Sequence, residues 1–284
     1  MAITVNTNIS SLTAQGSLNK ATDRMNTAME RMSTGLKINS SKDDAAGLAV
    51  SRKLDYKVSS LGVAQSNAQM GASMLDTMEG VMGVVNDNLV RIRDLTEQAA
   101  NGTYGTDAMK AMATEINARL TEIDRIANSA EFNGKKLIDG NNGNPMRVIL
   151  QVGITSGTES QIELDSSLFQ NCHTSSGGLN VSSITTPAAW TDGNARSFLT
   201  SVDAAIAKVT DATTAIGGKQ AAIASAMDAA NVMQTNLTSS SSLIKDADIA
   251  EESSNYIKQQ ILQQTSATLL ATANQSPSIA LNLV

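Results

Sequence analysis

The chain has 284 residues, of which only 2% are aromatic. Compact globular cores draw much of their buried area from aromatic side chains. Burial must therefore come from Ala, Leu, Ile, Val and Met, which favours helices packed on helices. The net charge of -6, without basic clusters, excludes the nucleic-acid-binding class. No apolar run approaches the roughly 20 residues of a membrane-spanning helix, so we expect no membrane insertion.

Three further features limit the chemistry. Residues 1–6 have neither a charged segment nor an apolar core, so we expect no cleaved secretory signal. Cys172 is the single cysteine; a bystander thiol is the favoured interpretation, and a disulfide between exported chains is the alternative. His173 is the single histidine, and we expect an exposed loop residue because no second His or Cys accompanies it.

Proline, the strongest helix breaker, occurs only at Pro145, Pro187 and Pro277. Two long helix-permissive arms therefore flank a middle of different texture. In the first arm, apolar residues recur at spacings of three and four, which predicts helices that face partner helices. Three stripes result: Leu18, Ala21, Met25, Ala28 and Met32; Leu75, Met78, Met82, Val85, Leu89, Ile92 and Ala99; Met109, Met112, Ile116, Leu120, Ile123 and Ala127.

The second arm carries a similar stripe from Val202 to Leu237. The four serines at 239–242 predict a break, and a last helix is predicted over about 246–274. The apolar residues of this last helix do not keep to one stripe, a pattern that a packed assembly explains better than a lone helix. Two sides are occupied: Ile257 and Ile261 lie on one, and Leu262 and Leu269 lie on another.

The middle of the chain is predicted to form turns and short strands. Turn signals stand at 132–134 and 139–140, and strands are predicted from Met146 to Val152 and from Gln161 to Leu164. Residues 169–194 are rich in Ser, Thr, Gly and Asn, so we predict a short surface loop there.

Charged clusters have structural interpretations. Asp43 and Asp44 are adjacent, so their carboxylates are poorly placed to share a substrate atom, and we expect them to accept backbone N–H groups at a helix start or a junction. Arg91, Arg93 and Asp94 predict a solvated helix face with local ion pairs. None of these clusters indicates catalysis.

Several runs in both arms resemble bacterial flagellins. The most distinctive is residues 31–49, which read RMSTGLKINSSKDDAAGLA. Further runs follow in the order of that family: 91–95, 98–103, 131–137, 246–251, 260–264 and 273–275. Residues 169–194 carry no part of the resemblance.

The resemblance implies a mainly α fold, a long antiparallel helical coiled-coil rod whose N- and C-terminal arms pair. Its domains would be an inner filament-core layer of residues 1–42 and 240–284, a helical rod of 43–168 and 195–239 with a β-hairpin at about 132–168, and the surface loop 169–194. The large outer domains of many flagellins have no room in this chain.

The function implied is that of a structural subunit, which self-assembles into the extracellular flagellar filament for swimming motility. No catalysis and no cofactor are expected; a metalloprotease of the His-Glu-x-x-His type needs a second histidine. The implied partners are other flagellin subunits, an export chaperone and a cap protein, after type III export without a cleaved signal. A hook–filament junction protein of similar architecture is the alternative.

Two sets of site residues follow. For self-assembly the helical stripes nominate Leu18, Met25, Met32, Ile257, Ile261, Leu262 and Leu269. By resemblance, a host innate-immune flagellin receptor would recognise a helix patch at Arg91, Leu95 and Glu115, with Val90 where many flagellins have glutamine.

Overall fold

The computed structural model describes residues 7–139, 147–166, 168–175 and 177–281, with side chains as far as Gln275. Predictions that fall on residues 1–6, Gly140, Pro145 and Met146 lie outside these residues. The described chain is mainly helical, which confirms the predicted fold class. Its helices are α1 (Ile9–Thr34), α2 (Ala45–Ala100), α3 (Thr106–Ser129), α4 (Asp192–Lys245) and α5 (Ile249–Leu281).

The chain divides into two compact units. The first contains residues 1–58 and 235–284, and the second contains residues 59–234, so that α2 and α4 contribute to both. The layers predicted for the assembled filament divide the chain at 42 and 240 instead, and they stay a prediction. Among the described helices, none combines the length and apolarity needed to cross a bilayer.

Helix ends in the first unit follow from a few residues. Gly35 ends α1 with a φ of 72°, a left-handed conformation that favours glycine, and its N–H donates to the Arg31 carbonyl. Asp44 Oδ1 accepts the Gly47 N–H at 2.9 Å, which caps the start of α2. Hydrogen bonds from Ser40 and the backbone of Asn39 lower the pKa of Asp43. Asp44 therefore acts at the helix start and Asp43 in the junction before it, which confirms the structural interpretation of this Asp pair.

The predicted break at the serines is wrong, because α4 continues through them to Lys245. The Ser240 hydroxyl donates to the Asn236 carbonyl at 2.8 Å, and the Ser241 hydroxyl donates to Asp55 Oδ1 at 2.8 Å. These bonds satisfy the hydroxyl groups that would otherwise compete with the helix backbone. The last helix runs from Ile249 to Leu281, seven residues beyond its predicted end at 274.

The core of the second unit is formed by α2, α3 and α4. Every member of the predicted stripes from Leu75 to Ala99 and from Met109 to Ala127 is buried. Helices α2 and α4 run antiparallel, as cross-helix hydrogen bonds show, because the α4 partner rises in number as the α2 partner falls. The pairs are Arg93 with Asp203, Asp76 with Gln220, and Gln65 with Asn231.

Two small hairpins follow α3. Strands β1 (Glu131–Phe132) and β2 (Lys135–Lys136) are antiparallel, and the turn residues Asn133 and Gly134 both have positive φ, at 48° and 75°. Strands β3 (Val148–Gln151) and β4 (Gln161–Leu164) pair antiparallel, with Val148 opposite Leu164. A Cβ at Gly71 would lie 2.3 Å from Leu150 Cδ1, so β3 packs closely on α2.

The segment 169–194 is not a surface loop, and that prediction is wrong. Six apolar residues from this segment and its edge are buried in the core of the second unit. Apart from the adjacent pair Leu168 and Phe169, they are separated by mostly polar residues, so the average composition of the segment conceals them. They are Leu168, Phe169, Cys172, Leu179, Val181 and Trp190.

The expectation of an exposed His173 is also wrong. Its Nε2 lies 2.5 Å from Asp139 Oδ1, and its Nδ1 lies 3.4 Å from Asp124 Oδ1. Asp124 also accepts the backbone N–H and the hydroxyl of Thr174. These contacts connect the polar segment to the last part of α3 and to Asp139, three residues after β2.

Cys172 is fully buried beside Met82, with 3.7 Å between the two sulfur atoms, and burial raises the pKa of its thiol to about 12. A thiol attacks as its thiolate, so we expect native protein to resist thiol reagents and to form no disulfide between chains. Titration with a chromogenic disulfide should detect no reactive thiol before denaturation and one per chain after it. Stoichiometric labelling of native protein would contradict this placement.

Candidate assembly surface

Helices α1 and α5 pair antiparallel in the first unit. Three side-chain contacts span the seam, and the α5 partner rises in number as the α1 partner falls. They are Arg31 Nη1 to Glu252 Oε1 at 2.9 Å, Gln263 Nε2 to Thr22 Oγ1 at 3.0 Å, and Ser11 Oγ to Asn274 Oδ1 at 2.7 Å. The predicted pairing of the two arms is thus present within one chain.

The residues just after α1 and just before α5 are joined by backbone hydrogen bonds. The Lys37 N–H donates to the Lys245 carbonyl at 2.6 Å, and the Ala247 N–H donates to the Gly35 carbonyl at 2.9 Å. This short antiparallel bridge between residues 36 and 246 fixes the base of the α1–α5 pair.

The face that α5 turns towards the rest of the chain is polar. Its buried residues are Glu252, Gln259 and Ser266, spaced seven apart. The buried residues of α1 are Ala21 and Ala28, which are also seven apart. A repeat of seven is the spacing of a coiled-coil seam. Here small and polar residues occupy the fully buried positions, while Leu18, Met25 and Met32, which alternate with the two alanines on α1, are half-buried.

The large apolar residues of α5 face outward instead. The exposed fractions are 52% for Ile257, 57% for Ile261, 43% for Leu262 and 57% for Leu269. A surface helix ordinarily buries its apolar stripe and exposes its polar side. Helix α5 does the reverse, because these apolar residues are exposed and polar residues are buried. Helix α1 adds exposed Ile9, Leu12 and Met29. Exposed apolar surface of this extent marks a protein-contact region.

The nominated assembly residues fall into two groups. Leu18, Met25 and Met32 on α1 are half-buried, whereas Ile257, Ile261, Leu262 and Leu269 on α5 are exposed. Sequence reasoning missed the buried polar set of Glu252, Gln259 and Ser266. Their spacing of seven is the signal that could have found them, but an apolar stripe is the usual mark of a helical seam and these residues are polar.

The nominated receptor patch is only partly accessible. Arg91 Nε and Glu115 Oε1 are 3.1 Å apart on the surface, and hydrogen bonds from Arg91 and then Arg119 lower the pKa of Glu115. Leu95 is 3% exposed and belongs to the core. Arg93 pairs with Glu97 one turn along α2 at 3.2 Å, which agrees with the expected local ion pairs, and it also pairs with Asp203 on α4 at 2.8 Å.

Comparison with known proteins identifies the family. A model of the bacterial flagellin N-terminal helical region matches residues 5–143, and a model of the C-terminal helical region matches residues 199–284. This chain belongs to the flagellin family. Polar flagellin F of Vibrio parahaemolyticus is 32% identical over 381 aligned positions, and a flagellin of Serratia marcescens is 32% identical over 354, each with all of both chains covered.

Those alignments are longer than this flagellin, so both relatives contain segments that it lacks, in agreement with a member without a large outer domain. A solved Vibrio parahaemolyticus structure, named as a flagellar hook-associated protein, aligns with a TM-score of 0.59. The alignment covers 71% of this chain and 99% of the other at 19% identity, so it shows a shared fold alone.

Membership of the family sets the function. The chain is a structural subunit that polymerises with other flagellin subunits into the extracellular flagellar filament. The family is one of structural proteins. Within the described residues, no three His, Cys, Asp or Glu side chains are grouped to hold a metal ion.

Asp55 on α2 secures the base of the paired helices, because it accepts Lys245 Nζ at 3.0 Å and the Ser241 hydroxyl. These two hydrogen bonds lower the pKa of Asp55. A lowered carboxyl pKa contributes stability above the ordinary value, and this contribution is lost as the pH falls through the folded-state pKa. We therefore expect Asp55→Asn to lower the melting temperature at neutral pH.

Melting curves followed by circular dichroism between about pH 7 and pH 2 check this, because the difference from the unmodified chain should shrink across the acid range in which Asp55 protonates. Asp23→Asn on the exposed face of α1 is the control. A difference that stays constant down to the acid limit would contradict a contribution from the Asp55 charge.

Proposed function

We propose that the outward apolar face of the α1–α5 pair is the surface through which one subunit binds the next. Its contact residues on α5 are Ile257, Ile261, Leu262 and Leu269, which are exposed in the isolated chain. Half-buried Leu18, Met25 and Met32 complete this surface from α1. Full burial of each large apolar side chain is worth about 1.5–3 kcal/mol.

The polarity of the seam supports this proposal. If α5 served only to close a core within its own chain, its apolar residues would face α1. They point away from α1, while Glu252, Gln259 and Ser266 are buried. The free energy of apolar burial is therefore left to contacts with other copies.

We propose the remaining steps from family membership. The subunit leaves through the flagellar type III export channel, an export chaperone shields its C-terminal helix, and a cap protein directs its addition to the growing tip for swimming motility. The exposed apolar residues of α5 fit a need for protection before assembly. No catalysis is proposed, because Cys172 lies in the core and His173 is held between two aspartates.

A junction protein between hook and filament is the second candidate. The fold shared with the hook-associated structure is compatible with this candidate and does not favour it over a filament subunit, because the identity is only 19%. The two candidates differ in how far they self-associate. A filament subunit adds to seeds of its own kind without limit, whereas a junction protein forms only short layers. Seeded elongation of the purified chain into long homopolymers, seen by negative-stain microscopy, supports the filament subunit, and growth limited to short layers supports the junction protein.

Replacing one outward residue tests the contact surface. We expect Ile261→Ser to raise the critical concentration for polymerisation by about 10- to 100-fold, since about 1.5–3 kcal/mol of burial is lost per subunit contact and 1.4 kcal/mol is a factor of ten. Sedimentation of polymer from monomer at a series of protein concentrations measures it.

The matched control for that variant is Gln260→Ser, the neighbouring exposed residue on α5. It places the same new side chain in the same helical turn but removes no large apolar group. We expect its critical concentration to stay close to that of the unmodified chain. Equal critical concentrations for both variants would contradict the proposed surface.

We propose that the Arg91–Glu115 pair is the accessible part of the patch recognised by the innate-immune receptor, with Leu95 supporting it from the core. Truncation of a central interface arginine costs about 2 kcal/mol. We therefore expect Arg91→Ala to raise the monomer concentration needed for receptor activation in a reporter cell assay by about tenfold or more.

Arg125→Ala is the control for receptor recognition, because Arg125 forms a comparable surface pair with Glu122 on α3. It should leave receptor activation unchanged. Activation by Arg91→Ala at the same concentration as the unmodified monomer would remove Arg91 from the recognition patch.

A further inference from the structure

We propose that Arg31 and Glu252 fix the register in which α1 pairs with α5, and that this register determines which residues of α5 face other subunits. The inference rests on the assembly surface proposed above and adds the residues that position it. Arg31 and Glu252 are 2.9 Å apart, and their side chains are only 28% and 11% exposed.

The seam needs such a determinant. Its buried residues, Ala21 and Ala28 on one side and Glu252, Gln259 and Ser266 on the other, repeat at intervals of seven. A shift of one helix by seven residues would again place small residues against polar ones. Side-chain shape and apolar burial therefore distinguish poorly between the native register and the registers shifted by seven residues. In coiled coils, a buried polar residue is what specifies the register.

The charges do distinguish between the registers. A shift of α5 by seven residues in one direction places Arg31 opposite Gln259 and moves Glu252 beyond the end of α1. The shift in the other direction brings Glu252 towards Arg24 but leaves Arg31 facing Lys245, a like charge. A partly buried charge without its partner is strongly unfavourable. Both neighbouring registers are therefore disfavoured by Arg31 itself.

The environment of Arg31 makes Glu252 its main partner. Its Nη1 donates to Glu252, while its Nε is buried and has no hydrogen-bond partner in the described part of the chain. Arg31 also helps to lower the pKa of Asp43 through its charge, but Glu252 is the carboxylate that it contacts directly within the seam. The backbone bridge at residues 36 and 246 also aligns the helices. Its hydrogen bonds join backbone groups, so they do not depend on which side chains are present.

Register can be measured with cysteine pairs in the full-length chain. The T22C/Q263C pair reports the native register, because Thr22 and Gln263 are in hydrogen-bond contact. T22C/Y256C and T22C/L270C report shifts of seven residues in the two directions. Mild oxidation followed by a non-reducing gel gives the cross-linked fraction of each pair, and the buried Cys172 is left in place.

We expect the native pair to cross-link at least about tenfold more than either shifted pair when Arg31 and Glu252 are present. Glu252→Arg should lower that ratio and raise the critical concentration for polymerisation. The charge-swapped variant R31E/E252R should restore both. Glu252→Gln keeps the shape of the side chain and removes its charge, so it should also lower the ratio of native to shifted cross-links. It serves as the test if Glu252→Arg does not fold.

Two results would overturn the inference. One is an unchanged ratio in both Glu252→Gln and Glu252→Arg, which would assign the register to the backbone bridge. The other is failure of R31E/E252R to restore the ratio while its circular dichroism matches the unmodified chain. The two proposals can fail independently. Normal polymerisation of Ile261→Ser would refute the assembly surface, but it would not change the cross-linking result for the α1–α5 register.

Discussion

A helix that packs against one partner can bury only one of its faces, and α5 buries a polar one. Glu252, Gln259 and Ser266 lie in the seam with α1, while Ile257 and Ile261 lie outside it. Apolar surface that is not covered within the chain gains free energy only when another molecule covers it. The arrangement of α5 therefore couples stability of the terminal helices to polymerisation, which is the activity of a filament subunit.

The second unit, in contrast, buries most of its large apolar residues within its own chain. The stripes of α2 and α3 are buried within the chain, and the polar segment after β4 contributes Phe169, Cys172 and Trp190 to the same core. Trp190 meets Phe198 edge to face, with ring centroids 6.1 Å apart. This unit completes its core without neighbouring subunits. A subunit of this kind keeps one stable body and reserves its terminal helices for association.

Periodicity predicted the helices well, because an apolar residue at every third or fourth position has one structural explanation in a long segment without proline. It failed where tertiary contacts override local preference. Ser241 lies in a helix because Asp55 accepts its hydroxyl, and His173 is drawn inward by Asp124 and Asp139. Neither pairing is visible in the sequence, since the partners are distant along the chain.

The candidate site shows the same limit in another form. The spread of Ile257, Ile261, Leu262 and Leu269 over two sides of the last helix predicts packing in an assembly. It does not identify the side that is buried within the chain, because that side is polar and periodicity follows apolar residues. Only the structure placed Glu252 opposite Arg31 and so separated the face used within the chain from the face left for other copies.

The central claim is that α5 buries its polar face within its own chain and its apolar face against other subunits. A helical reconstruction of the assembled filament at side-chain resolution tests it most directly. The account predicts that Ile257, Ile261, Leu262 and Leu269 contact neighbouring subunits while Glu252 stays against Arg31 of the same chain. A filament in which those four residues face solvent, or in which Glu252 leaves Arg31 for another subunit, would contradict it.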